Sequence, residues 1–328
     1  MRKTESRFPA GLQPADLGEA VTSADGRCTL VSFITAPLAA ERENAYVVFV
    51  TDAGLAGATQ SFEWTFTENG ESPTTESTDI GVVAYSPKSP GSLHLEVRLL
   101  DAASSPQATL DLDQPVVPSS PELETLIEDA KESSGPTVTN PVVARELIND
   151  HNLYYQSAAL HTPEPGNAFT QFLFSFVFDG ALRRDPPKRQ THLDRLATSL
   201  NTGEEDFVSL AAEGAGVSEL RLLLLGMVFG APSPLLAWTE LPDVPAQRAV
   251  AEEQLRQTLA ALGEADRIDL FNVARFPKTN ITFCGRILEA LRDRYFSGAS
   301  FNDVMTGMSG TRAHWIGRHF REGPLLHS

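Results

Sequence analysis

The stretch S-F-E-W-T-F-T-E-N-G, residues 61–70, alternates strictly. Phe62, Trp64 and Phe66 fall on one side of an extended chain, and Glu63, Thr65 and Thr67 on the other. Successive side chains of a strand point to opposite faces, so this pattern predicts a strand with an apolar inner face and a wet outer face. Asn69-Gly70 closes it with residues that tolerate the left-handed turn region. The same period returns in S-L-H-L-E-V-R-L-L-D-A, residues 92–102, where Leu93, Leu95, Val97 and Leu99 oppose His94, Glu96 and Arg98.

Around these two runs stand C-T-L-V-S-F-I-T-A-P (28–37), A-Y-V-V-F-V-T-D-A-G (45–54) and D-I-G-V-V-A-Y-S-P-K (79–88). All are short, β-branched or aromatic, and closed by Gly, Pro, Asn or Asp, which marks strands and turns. Five to seven such strands within residues 27–114, each with one wet face, predict antiparallel sheets packed on each other as a β-sandwich. Residues 1–26 are polar and broken by Pro9, Gly11 and Pro14, and they read as a flexible arm.

Particular residues in this region carry a family resemblance. Trp64 and Phe66 stand on one strand, Gly70 in the next turn, then come Tyr85, Gly91, Val97 and a terminal Asp101. This order resembles the PKD-type immunoglobulin-like domain over about residues 28–113. Glu68-Asn69-Gly70 stands where that family usually has Gly-Asp-Gly, and the aromatic expected just after Gly91 is missing. The resemblance implies a sandwich that serves as a spacer or as a protein- or glycan-binding module. It implies no catalytic residues.

Residues 115–140, P-V-V-P-S-S-P-E-L-E-T-L-I-E-D-A-K-E-S-S-G-P-T-V-T-N, read as an acidic linker with one short helix. Ser120 caps it, Pro121 fits its first position, and Glu122 and Glu124 suit its N-terminal dipole. From residue 141 to 328 the period becomes helical. Helices are expected at 141–160, 167–184, 188–200, 204–213, 217–229, 245–262, 264–275, 279–296, 301–307 and 311–321, which together predict an all-α domain. The aromatic-rich helix over 167–184 is expected to stop at Pro186-Pro187.

The chain has 328 residues, 41% apolar and 21% charged, with a net charge of −17 and a pI near 4.8. That composition is globular, and that length fits more than one domain. A chain this acidic repels phosphate backbones and anionic lipid, so neither nucleic acid nor a membrane surface is expected as a partner. Two cysteines, Cys28 and Cys284, make neither a disulfide framework nor a metal or redox pair. The N-terminus has no apolar run of signal-peptide type, so the chain is expected to be cytoplasmic as synthesised, with export by another route left open. No cofactor or metal is expected.

Two clusters are candidates for function. Glu146, Asp150 and His151, with Glu164 further on, bring carboxylates and an imidazole to neighbouring helical positions, a pattern able to do acid–base work. S-G-T-R-A-H-W-I-G-R-H-F-R-E-G, residues 309–323, splits on a helical wheel. Trp315, Ile316, His319 and Phe320 form an apolar stripe, and His314, Arg318 and Arg321 form a basic stripe suited to an acidic partner. The leading reading is a non-enzymatic interaction or structural protein with a protein or glycan partner, of the kind found in phage-tail-like or secretion assemblies. The alternative is a hydrolase or toxin-type effector that cleaves glycan or peptidoglycan with paired carboxylates.

Overall fold

The computed structural model describes residues 1–41, 43–118, 186–213, 256–257, 259–276 and 278–279, and side chains in 186–213 only from 193 to 211. The N-terminal part is built of two β-sheets, and helices occupy the described remainder. In chain order the elements are helix α1 (Pro14–Leu17), strands β1 (Glu19–Thr22), β2 (Cys28–Ser32), β3 (Leu38–Ala39) and β4 (Asn44–Val50), and helix α2 (Ala53–Ala58). Strands β5 (Ser61–Glu68), β6 (Thr74–Thr78), β7 (Val82–Tyr85), β8 (Gly91–Leu100) and β9 (Pro106–Val117) follow. Helices α3 (Pro186–Thr202), α4 (Phe207–Glu213) and α5 (Glu264–Arg275) complete the description. Those three lie close to the helices predicted at 188–200, 204–213 and 264–275.

One sheet has the order β1-β2-β4-β7 and is antiparallel throughout. The other has the order β3-β9-β8-β5-β6, antiparallel except for the parallel pair β3–β9. The chain leaves the first sheet after β2 and joins the second at β3, passing through a cis Ala36–Pro37 bond.

The alternation read in the sequence becomes the core. Phe62, Trp64 and Phe66 of β5 and Leu93, Leu95, Val97 and Leu99 of β8 are buried together with Leu30, Tyr46, Val48 and Val50 of the other sheet. The indole of Trp64 stacks on Phe62, and its Nε1 donates to the Thr78 hydroxyl at 2.9 Å, so the one polar atom of a fully buried side chain is paired. Across the core the Tyr46 hydroxyl donates to Gln114 Oε1 at 3.0 Å. The Gln114 amide in turn donates to Glu19 at 2.7 Å and to the Ser32 hydroxyl at 3.2 Å. This polar network ties β9 to β1 and β2, where the chain changes sheet.

Four expectations are corrected. Residues 1–26 are not a flexible arm: Thr4, Glu5 and Leu17 are buried, and Glu19–Thr22 is an edge strand of the four-stranded sheet. Their polar look reflects partners far away in the sequence. Eight strands, β2 to β9, begin within residues 27–114 instead of five to seven, because β6 is polar on both faces and β3 has only two residues. The sheet also runs past residue 114, since Val116 packs in the core and holds the end of β9. Lastly, the four-stranded sheet has no wet face along β2 and most of β4. All five residues of β2 are buried, as are six of the seven in β4.

Candidate functional site

The second buried face of the four-stranded sheet is the most distinctive feature of the described molecule. Val31, Val47 and Phe49 point away from the main core into a second cluster with Leu17 and Phe276, edged by Phe8, Leu12, Ala20, Phe33 and Val82. Two remote parts of the chain therefore cover this face: residues 1–18, and the end of α5 with the residue after it. The Phe276 ring lies 4.5 Å from that of Phe33 and 6.0 Å from that of Phe49, and Phe8 meets Phe49 edge-on at 5.2 Å. Gly18 lets the chain turn onto the sheet, because a Cβ there would sit 1.9 Å from the Ser32 carbonyl oxygen.

Residues 2–10 bridge the sheet and the helices. On the sheet side, the Val50 amide donates to the Glu5 carbonyl at 2.9 Å. On the helix side, Arg7 grips Asp269 of α5 with a two-pronged pair at 2.6 and 2.7 Å, and the Asp269 carboxylate raises the Arg7 pKa. Such fork-to-carboxylate pairs fix orientation as well as adding energy. Lys3 pairs with Glu264. Asn272 donates to the carbonyls of Thr4 and Arg7, each at 2.9 Å, and Asn201 of α3 exchanges hydrogen bonds with Thr4.

At the centre, Arg275 and Glu5 make a buried ion pair at 3.5 Å. The guanidinium lies 5.3 Å from the ring centres of Phe49, Phe271 and Phe276. Burial pushes the Arg275 pKa down, and the Glu5 carboxylate partly restores it. The pairing is incomplete. Among the described residues, Glu5 Oε2, Asn272 Oδ1, Arg275 Nε and Arg275 Nη2 find no hydrogen-bond partner although they are buried.

The residues that carried the family resemblance gather as structural pins. Tyr85 stacks on Phe66 at 3.9 Å with the rings nearly parallel. Its hydroxyl donates to Glu68 at 2.7 Å, and the same carboxylate accepts from the amides of Lys88 and Ser89. Burial opposes ionisation of Glu68, but these donors outweigh it and hold the carboxyl below its ordinary value. Asn69 accepts from the Ser92 amide at 2.8 Å, and a Cβ on Gly91 would sit 1.8 Å from Asn69 Oδ1. Glu68-Asn69-Gly70 thus joins the β5–β6 turn to the β7–β8 loop. Asp101 closes the β8–β9 turn by accepting from the amides of Ala103 and Ser105, each at 2.9 Å.

On the outer face of the five-stranded sheet, His94 bonds Asp113 at 2.8 Å, and Arg98 pairs with Glu96 at 2.7 Å. These side chains are half-buried to exposed on a solvent-facing surface, and pairs of this kind contribute little. Among the described residues, no group of three or more His, Cys, Asp or Glu is placed to hold a metal ion. The Cys28 thiol is buried and its pKa is raised by that burial, as for an inert core cysteine. No described helix is long and apolar enough to cross a membrane.

Glu146, Asp150, His151 and Glu164, and the basic stripe of His314, Arg318 and Arg321, lie outside the described residues. The docking residues Glu5, Arg7, Asp269, Asn272, Arg275 and Phe276 did not figure among the sequence candidates. One signal for them was present. A-Y-V-V-F-V is a continuous apolar run, which marks a strand buried on both faces. Comparison with family models, with curated proteins and with solved structures finds no match to this chain.

Proposed function

We propose that this chain is a non-enzymatic interaction or structural protein, in which an immunoglobulin-like module of PKD type serves as the docking base for the helical part. The observation that carries the reading is the double burial of the four-stranded sheet: its outer face is given over to Phe276 and residues 1–18. A sheet face committed in this way makes the β region a platform that holds the helices in place. Two further features support an immunoglobulin-like sandwich. The chain crosses from the β2–β4 sheet to pair β3 parallel with the last strand β9, and a buried Trp64 lies on a central strand of the other sheet. On this reading residues 141–328 are an all-α domain, and their basic stripe of His314, Arg318 and Arg321 contacts an acidic protein or glycan partner.

The test uses the full chain in two arms. In the first, labelled peptidoglycan and soluble glycans are incubated with the chain, and no released fragments are expected. Release that disappears in a Glu146→Gln/Glu164→Gln variant would overturn the reading in favour of a hydrolase. In the second, beads bearing acidic glycan or acidic polypeptide capture the chain at low and high salt. Replacing His314, Arg318 and Arg321 with Ala is expected to weaken capture at low salt while leaving the thermal midpoint unchanged, because exposed charges steer binding and add little to folding.

A further inference from the structure

We propose that residues 1–18 are a releasable strap, which fastens α5 to the sheet by the Glu5–Arg275 and Arg7–Asp269 pairs and opens without unfolding the β core. This inference rests on the docked arrangement described under the proposed function and concerns how that docking is controlled.

Three observations carry it. First, the strap contacts both parts: Glu5 bonds β4 through its carbonyl and α5 through its carboxylate. The main core keeps its packing when the strap opens, because its side chains belong to a separate cluster that holds none of residues 1–18. Second, its grip on the helices is largely polar: two carboxylate–guanidinium pairs, a lysine–glutamate pair, and the amides of Asn201 and Asn272, beside the apolar contacts of Phe8, Leu12 and Leu17 in the cluster that holds Phe276. Water can replace each of the polar contacts on opening. A wholly apolar seam offers no such exchange.

Third, the lock is imperfect. Among the described residues, three buried polar atoms of the Glu5–Arg275 pair and one of Asn272 lack partners, and release hands all four to water. An ion pair with unmet hydrogen bonds in a dry site adds little net stability, yet removing one partner strands the other charge at great cost. That combination gives one register for the closed strap together with a modest barrier to leaving it.

Hydrogen exchange of the full chain, read by mass spectrometry, tests the strap. Peptides from residues 1–17 report the strap, and peptides from 91–117 report the core strands β8 and β9. Glu5→Leu leaves Arg275 buried and unpaired, and it is expected to speed exchange of the strap about 100-fold or more with exchange over 91–117 unchanged. The double variant Glu5→Leu/Arg275→Met replaces both charges with apolar side chains, and it is expected to bring strap exchange back to within about tenfold of the parent. Equal acceleration of strap and core peptides by Glu5→Leu would mean that residues 1–18 are integral to the core, and it would overturn the proposal. So would an unchanged strap rate in the single variant, or a double variant as open as the single one. None of these outcomes alters the hydrolysis and capture results, so failure of the strap and failure of the proposed function remain distinct.

Discussion

Phe276→Ala is the sharpest probe of the doubly buried sheet. The ring is fully buried between Phe33 and Phe49, on the face opposite the main core. A phenylalanine buries roughly 150–200 Å². At about 25 cal/mol per Å², removing it forfeits about 4 kcal/mol, within the ~3–5 kcal/mol typical of such truncations. The hole opens against Val31, Val47 and Leu17, which belong to β2, β4 and α1 and have little freedom to collapse into it. The flanking Arg275 also loses one of its three aromatic neighbours. The thermal midpoint of the full chain of 328 residues is therefore expected to fall by roughly 6 °C, at about 1.5 °C per kcal/mol from an unfolding entropy of ~2.1 cal/mol/K per residue. Differential scanning calorimetry reads this directly, and urea denaturation supplies the free energy. A midpoint within about 2 °C of the parent would refute the reasoning, because it would mean that Phe276 faces water and the sheet keeps one wet side.

Trp64→Ala is expected to cost about 3–5 kcal/mol, plus about 1 kcal/mol for the Thr78 bond it breaks, measured by urea denaturation. Parental stability would place the indole outside the core. For pH dependence, Glu68 has a folded pKa below its ordinary 4.5, so its contribution to stability is present above that value and is lost as pH falls through the folded pKa. Melting curves between pH 7 and pH 3 are expected to drop less steeply for Glu68→Gln than for the parent; identical slopes would mean that Glu68 takes no part.

Some of this architecture is written locally and some is not. A strand with one buried face prints its period on its own residues, so β5 and β8 are legible from Phe62, Trp64 and Phe66 and from Leu93 to Leu99. Helix α5 is legible as a helix from the period read over 264–275, but not its burial, because residues 270–275 are all buried, Asn272 and Arg275 included. Strand β6 leaves no such print: it lies at a sheet edge with four of its five residues exposed, and only backbone pairing with β5 makes it a strand. The strap is the extreme case. Arg7 and Asp269 are separated by 262 positions, and Glu5 and Arg275 by 270. Charged residues near a chain end look solvated until the partner that desolvates them is known. Sequence by itself determined the alternating strands, the apolar run of β4 and the helices at Pro186–Thr202, Phe207–Glu213 and Glu264–Arg275, because each depends on neighbours within a few residues. Tertiary structure alone decided that a polar N-terminus is buried, that Phe276 caps a sheet, and that one ion pair between the ends of the described chain is shut away from water.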